Sequence, residues 1–96
     1  MRNKGKELIE KYYTQMENDI NNTMQQAEEG RIDYLSFSYT VEAYRSRFVG
    51  NLDVLLDLDY ISMDNWSDLY SKSFKFYDDA CKIVRKMDFD PSDPED

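Results

Sequence analysis

Apolar residues recur at intervals of three and four along most of the chain, and this spacing predicts amphipathic helices. The predicted helices cover residues of about 4–29, 34–57 and 63–87. The second has the most regular apolar stripe, which consists of Phe37, Val41, Tyr44, Phe48, Leu52 and Leu55. A stripe of this period directs one face of the helix toward a common core.

Residues that favour helix ends stand at the predicted boundaries. Gly30 follows the first helix as its left-handed C-terminal residue, and Asp33 and Ser62 are N-caps of the second and third helices. Gly50 lies inside the second helix, where it permits a close helix contact, permits a kink, or is simply tolerated. Because the links between the helices are short, consecutive helices must run antiparallel. The sequence therefore predicts an all-α, up-down-up three-helix bundle.

The third predicted helix is apolar over about half of its circumference, more than a helix with one buried face needs. One apolar row consists of Trp66, Tyr70, Tyr77 and Val84. A second row, with a spacing of seven, consists of Leu69, Phe76 and Ile83. Ile61 can pack on Trp66 as a hydrophobic staple, so the first row is predicted to be core. The second row is buried in the monomer or covered by a partner.

The net charge of −8 is concentrated in two acidic segments. Residues 88–96 carry five acidic residues and no basic ones, and with two prolines they are predicted to form a short disordered tail. The second segment forms an acidic patch of Asp53, Asp57, Asp59, Asp64 and Asp68. Apart from the tail, the other 87 residues, which include this acidic patch, carry a net charge of only −3.

The acidic patch is a candidate recognition surface for a basic partner. The predicted topology brings Arg2, Lys4 and Lys6 to the same end of the bundle, and this compensates part of the charge. Asp53 and Asp57 nevertheless lie at the C-terminal end of a helix, where the helix dipole disfavours anions. Residues that break a local rule in this way are candidates for function.

No catalytic or cofactor-binding motif is recognisable in the chain. It contains no His, which removes the commonest general base and the commonest metal ligand. Cys81 falls on the apolar arc of the third helix and is predicted to be a buried structural thiol. The three glycines are isolated, so no phosphate-binding loop is present. We therefore expect a non-enzymatic protein with no metal and no other cofactor.

Charge and hydropathy also limit the partners. Basic residues on the outer face of the third helix are interleaved with Asp68, Asp78 and Asp79, so direct nucleic-acid binding is not expected. No apolar run reaches the length of about 18 residues that a membrane span needs. The single cysteine and the absence of a secretory signal pattern favour a cytoplasmic protein of one domain.

Apolar surface is then the strongest candidate for a functional site. We expect a docking face formed by Leu35, Tyr39 and Val54 on the second helix, or by Phe76 and Ile83 on the third. Tyr and Phe offer a large contact area at a low conformational-entropy cost. A three-helix bundle also needs wide apolar arcs, so the alternative is that these residues belong to the core.

The leading hypothesis is a small acidic module that binds and occludes another protein, one with a basic surface such as a nucleic-acid-handling protein. Frequent Asn, Asp, Lys, Ile and Tyr with little Ala are typical of an AT-rich bacterial or phage genome. In style, the chain resembles the short acidic helical inhibitors that phages encode against host defence systems. One alternative is a structural homodimer that associates through the surplus apolar row. The other is an immunity protein or antitoxin whose acidic patch neutralises a basic partner, with a steep dependence on salt.

Overall fold

The computed structural model of the protein describes the backbone of residues 2–88 and the side chains of residues 4–87. Within these residues the chain forms three α-helices, α1 (Arg2–Glu28), α2 (Tyr34–Asp57) and α3 (Met63–Asp88). Each helix packs against the other two, which confirms the predicted all-α three-helix bundle. The Cα atoms span 56 × 21 × 16 Å, so the bundle is a thin rod. Asp88, the first residue of the predicted acidic tail, is helical and ends α3, and the rest of that tail lies outside the described residues.

The link after α1 closes with a Schellman motif. The Arg31 N–H donates to the Gln26 carbonyl at 2.9 Å, and the Gly30 N–H donates to the Ala27 carbonyl at 3.0 Å. Gly30 has a φ of 76°, in the left-handed region that glycine adopts without a Cβ penalty. The predicted role of Gly30 is confirmed.

The link after α2 closes in the same way around a residue that is not glycine. The Tyr60 N–H donates to the Leu55 carbonyl at 2.9 Å, and the Asp59 N–H donates to the Leu56 carbonyl at 3.0 Å. Asp59 has a φ of 64°. Among residues with a side chain, Asn and Asp adopt this conformation most readily. Asp59 was predicted as part of the acidic patch, and the structure gives it a backbone role as well.

The two predicted N-caps are confirmed by their hydrogen bonds. The Ser36 N–H donates to Asp33 Oδ1 at 2.8 Å, and this backbone hydrogen bond lowers the pKa of the Asp33 carboxyl. The Asn65 N–H donates to Ser62 Oγ at 3.1 Å, while the Ser62 N–H donates to Asn65 Oδ1 at 3.3 Å. This reciprocal pair is a capping box with Asn in place of the usual Glu or Gln.

Three aromatic residues, one from each helix, pack together at the edge of the core. The ring of Tyr13 in α1 stands edge-on to Phe48 in α2, with 5.3 Å between the ring centroids. Tyr13 also contacts Phe76 in α3, with the centroids 6.5 Å apart. The ammonium of Lys72 lies 4.8 Å from the Tyr13 centroid, a distance at which the cation is attracted to the face of the ring. Phe76 is therefore partly buried within the bundle.

The part of α3 that faces the core is lined by small side chains, which corrects the predicted core row. Ser73 and Ala80 are 0% and 3% exposed, whereas Tyr70, which was predicted to be core, is 37% exposed. Val84 is the one residue of the predicted row that is fully buried. Trp66 and Tyr77 are half-buried. We call the line formed by the small buried residues Ser73 and Ala80 the α3 seam. Larger side chains flank it: Tyr70, Phe74 and Tyr77 toward α2, and Leu69, Phe76 and Ile83 toward α1.

Replacement of two helical glycines by alanine should change the free energy of unfolding in opposite directions. A Cβ on Gly50 would meet no atom within 4 Å, so the close contact considered for Gly50 is absent within the bundle. Gly50→Ala should therefore raise the free energy of unfolding by up to about 1 kcal/mol. A Cβ on Gly5 would lie 2.7 Å from the carbonyl oxygen of Tyr60, so Gly5→Ala should lower that free energy by about 1–3 kcal/mol. Urea unfolding of both variants measures the difference, and a shift of the same sign in both would contradict it.

Candidate functional site

The side of α2 that points away from α1 and α3 carries an exposed line of uncharged residues. It consists of Leu35, Tyr39, Ala43, Ser46 and Gly50, which we call the α2 face. Leu35 and Tyr39 are 61% and 72% exposed, more than most large hydrophobic residues of the bundle. The spacing of three and four places all five residues on one line, about 22 Å long at 1.5 Å per residue.

The charged residues beside the α2 face are bound to partners within the chain. Arg45 donates from Nε and Nη2 to the two carboxylate oxygens of Glu42, at 3.2 and 2.9 Å. Arg47 donates to Asp19 in α1 at 2.6 Å, and its guanidinium lies 5.4 Å from the ring centroid of Tyr44. These charges are therefore engaged at the flanks, and the line itself remains uncharged.

Two acidic residues, Asp53 and Asp57, continue the line of the α2 face one and two turns beyond Gly50. Trp66 donates from its indole nitrogen to Asp53 Oδ1 at 2.8 Å. Among the side chains of residues 4–87, neither Asp53 nor Asp57 has a cationic group within ion-pair distance. The line thus runs from an apolar end to an acidic end.

The start of α1 lies at the same end of the bundle as the link after α2, as predicted, since Gly5 packs against Tyr60, but it forms no ion pair with the acidic patch within residues 4–87. Lys4 and Lys6 make no ion pair there, and the side chain of Arg2 lies outside the described residues. Lys6 does line a groove between α1 and α3 together with Asp68. Within residues 4–87, no cationic side chain neutralises the carboxylates at the end of α2.

The five residues of the predicted acidic patch fall into separate groups. Asp53 and Asp57 belong to the end of α2, and Asp59 lies in the following link. Asp64 occupies the first turn of α3, where the helix dipole favours it. Asp68 faces the groove beside α1 rather than the α2 side. Asp53 and Asp57 thus share one face of α2, while the other three residues of the predicted patch lie on the link and on α3.

The five residues of the predicted apolar face are also divided. Leu35 and Tyr39 lie together on the α2 face, while Val54 is 54% exposed near the other end of the same helix. Ile83 is 48% exposed and lies seven residues after Phe76, so it shares the α1 side of α3. The structure thus brings Leu35 and Tyr39 to one surface and places Phe76 and Ile83 on another.

A cluster around Arg45 borders the α2 face, and the sequence analysis missed it. The guanidinium carbon lies 5.4–5.7 Å from the ring centroids of Tyr70, Phe74 and Tyr77. The Arg45 side chain is only 12% exposed, and its Nη1 is buried without a hydrogen-bond partner. Its hydrogen bonds with Glu42 raise the pKa of the guanidinium, so it is charged at every physiological pH.

The same cluster presents aromatic rings to solvent. Tyr70 and Phe74 are 37% and 46% exposed, and the Trp66 ring stacks on Tyr70 with 5.2 Å between the centroids. The spacing of four and three that joins Tyr70, Phe74 and Tyr77 is visible in the sequence. An Arg three residues after a Glu is visible too, but nothing in that pattern says which helix will cover it.

Cys81 is buried, as predicted, and its surroundings reduce its reactivity. The side chain is 7% exposed, and burial raises the pKa of the thiol. Burial and the nearby thiol also raise the pKa of Tyr77 to about 12. The thiolate is the nucleophilic form of cysteine, so a raised pKa leaves Cys81 poorly nucleophilic at neutral pH.

The described residues hold neither a metal site nor a membrane-spanning helix, and no known relative indicates a function. Within the described residues, no three acidic or cysteine side chains come together as a metal site. None of the three helices there combines the length and the apolarity needed to cross a membrane. Neither a protein-family model, nor a curated protein, nor a solved structure matches the chain.

Proposed function

We propose that this protein is a small, non-enzymatic protein-binding module that occludes a partner protein through the α2 face. The exposure of Leu35 and Tyr39 at the end of an uncharged line carries this proposal. Tyr39 would act as the anchor, because tyrosine contributes a large contact area and a polar tip for little loss of rotamer freedom. The smaller residues beyond it would exclude water without contributing much energy themselves.

The aromatic cluster of α3 supports the same surface. Tyr70 and Phe74 lie across the Glu42–Arg45 pair from the α2 face, and both rings reach solvent. Aromatic residues and Arg are enriched at the centres of protein interfaces. Because Arg45 is already held by Glu42 and three rings, a partner would meet a surface that is ordered before it binds. Pre-ordering of this kind lowers the entropic cost of association.

The partner that we propose is a cytoplasmic protein with a basic surface, such as a nucleic-acid-handling protein of a host cell. Asp53 and Asp57, which form no ion pair with the side chains of residues 4–87, support this choice, since opposite charge on the partner would steer and orient the complex. The acidic composition and small size also fit the phage-type inhibitors that the chain resembles in style. In this proposal the module acts by covering the partner's working surface.

Substitution of Tyr39 by Ala should weaken partner binding by about ten-fold or more, which corresponds to about 1.4 kcal/mol. The fold should be unaffected, because Tyr39 is 72% exposed. Wild type, Tyr39→Ala and a control, Asn18→Ala on the exposed polar side of α1, are used as baits in lysate from the source cell. The dissociation constant of each captured protein is then measured with purified components.

The expected result is capture by wild type and Asn18→Ala but not by Tyr39→Ala. A partner that binds Tyr39→Ala as tightly as the wild type would contradict the proposed face, provided that circular dichroism shows both to be folded.

A homodimer is the second candidate, and the exposure of Ile83 and Met87 on α3 favours it. These side chains are 48% and 38% exposed near the same end of the bundle. Light scattering of the wild type and of Ile83→Asp distinguishes this candidate from the first. A wild-type monomer at about 100 μM would eliminate it, because a functional homodimer must form at workable protomer concentrations.

A further inference from the structure

We infer that the element bound by the α2 face is a partner helix that is apolar along one part and carries Lys or Arg at one end. This inference rests on the function proposed above and specifies the chemistry of the partner. Three features of the same line support it: an apolar end, a middle of small residues and an acidic end.

The middle of the α2 face fits another helix. Ala43, Ser46 and Gly50 follow one another at intervals of three and four, and all three are exposed. No atom lies within 4 Å of the Cβ position of Gly50, so the bundle itself does not require a glycine there. Glycine in an exposed helix interior is less favourable than alanine. Helix axes approach to about 8–10 Å depending on the residues at the contact, and small residues allow the closest approach.

The acidic end specifies the charge of the partner. Asp53 and Asp57 lie in the last turns of α2, where the helix dipole disfavours carboxylates. Trp66 binds one oxygen of Asp53, which leaves the other available. Lys or Arg side chains from a partner would relieve both the dipole and the mutual repulsion of the two carboxylates.

The apolar end specifies the rest of the partner. Leu35 and Tyr39 are the largest exposed side chains of the line. Along α2, the distance from Tyr39 to Asp57 is about 27 Å, which matches about 18 residues of a second helix. A partner helix of five turns would therefore contact Tyr39 with apolar residues and Asp57 with basic ones.

A second copy of this chain does not fit the α2 face. In an antiparallel pair, Leu35 and Tyr39 of one copy would lie against Asp57 and Asp53 of the other, so apolar side chains would meet carboxylates. In a parallel pair, the carboxylates of the two copies would lie opposite one another. Both arrangements are unfavourable, whereas a helix with a basic end satisfies the acidic residues.

Synthetic helical peptides of about 22 residues test this inference, since that length spans the line. Each peptide has a Leu and Ala stripe and four lysines, placed at the N-terminal end in one peptide and at the C-terminal end in the other. The two peptides cover both directions of the partner helix. Binding to full-length protein is followed by fluorescence anisotropy at low and at high salt.

Three protein variants make the test specific. Asp53→Asn with Asp57→Asn should weaken peptide binding by about ten-fold or more at low salt and remove most of its salt dependence. The matched control, Asp64→Asn with Asp68→Asn, removes the same charge from α3 and should change the affinity less than about two-fold. Gly50→Leu should weaken binding by about ten-fold or more without lowering the free energy of unfolding, because the Cβ position of Gly50 is open.

Binding of either peptide with this pattern supports the inference. Failure of both peptides to bind, equal losses in the two Asp double variants, or unchanged affinity in Gly50→Leu overturns it. The capture experiment with Tyr39→Ala separates this failure from that of the proposed function. A natural partner that depends on Tyr39 but not on Gly50, Asp53 or Asp57 leaves the function standing and rejects the basic helix.

Discussion

Replacement of Phe48 by Ala should lower the free energy of unfolding by about 3–5 kcal/mol, the usual range for a buried phenylalanine. Phe48 is 2% exposed, and its ring meets the edge of Tyr13 at a centroid distance of 5.3 Å. The truncation leaves a cavity between α1 and α2 and also removes the edge-to-face contact. Small domains have a total stability of about 5–15 kcal/mol, so this variant should lie close to the limit of folding.

Urea unfolding followed by circular dichroism measures the change for Phe48→Ala. The matched control is Phe74→Ala, which removes the same ring from a site that is 46% exposed. We expect the control to lose less than half as much stability, because much of that ring already contacts water. Equal losses in the two variants would mean that the core does not centre on Phe48.

Substitution of Ser73 by Leu should produce the second large effect, a loss of about 1–3 kcal/mol or more from overpacking. Ser73, in the α3 seam and near the middle of α3, is 0% exposed. Its hydroxyl donates to the Tyr70 carbonyl at 2.8 Å within α3, so the polar group is satisfied locally. The small volume of serine is thus what the packing requires. Leucine would push α3 away from α1 and α2.

Ser73→Ala is the control for this substitution. It keeps the small volume and removes only the bond to the Tyr70 carbonyl, so its stability should remain within about 1 kcal/mol of the wild type. Thermal unfolding of both variants gives the comparison. If Leu at position 73 were tolerated as well as Ala, the close packing along the seam would be disproved.

Local chemistry explains why much of the fold could be predicted from the sequence. Asp33 and Ser62 cap helices through hydrogen bonds to residues three positions later, and Gly30 ends a helix through its own backbone. These interactions are decided within a few residues, so a pattern reveals them. The stripe of α2 was equally clear, and Phe37 and Leu55 are buried as it predicts.

The interior of α3 could not be predicted in this way, because it depends on how closely the helices approach. Apolarity alone favoured Tyr70 for the core, whereas the space between α1 and α2 admits Ser73 and Ala80. The need for glycine at position 5 could not be predicted for the same reason, because Tyr60 packs against Gly5 only in the folded bundle. Distances between segments that are far apart in sequence determine these positions.

The candidate site was predicted in part. Leu35 and Tyr39 were expected at a docking face, and the structure places both on the exposed side of α2. Whether they bind a partner stays a prediction. Arg45 was missed because a charged residue is expected at the surface, and its burial results from three rings on another helix. The single acidic patch was divided because Asp68 faces α1, which a linear sequence does not show.

The left-handed residue at the end of α2 limits how this chain can vary in nature. Only Gly, Asn and Asp adopt a φ near the 64° of Asp59 at little cost, so a functional variant should carry one of these three residues at position 59. A change from Asp to Gly or Asn there would remove a negative charge while keeping the turn. Natural variants can therefore lose the negative charge at position 59 without losing the turn that ends α2.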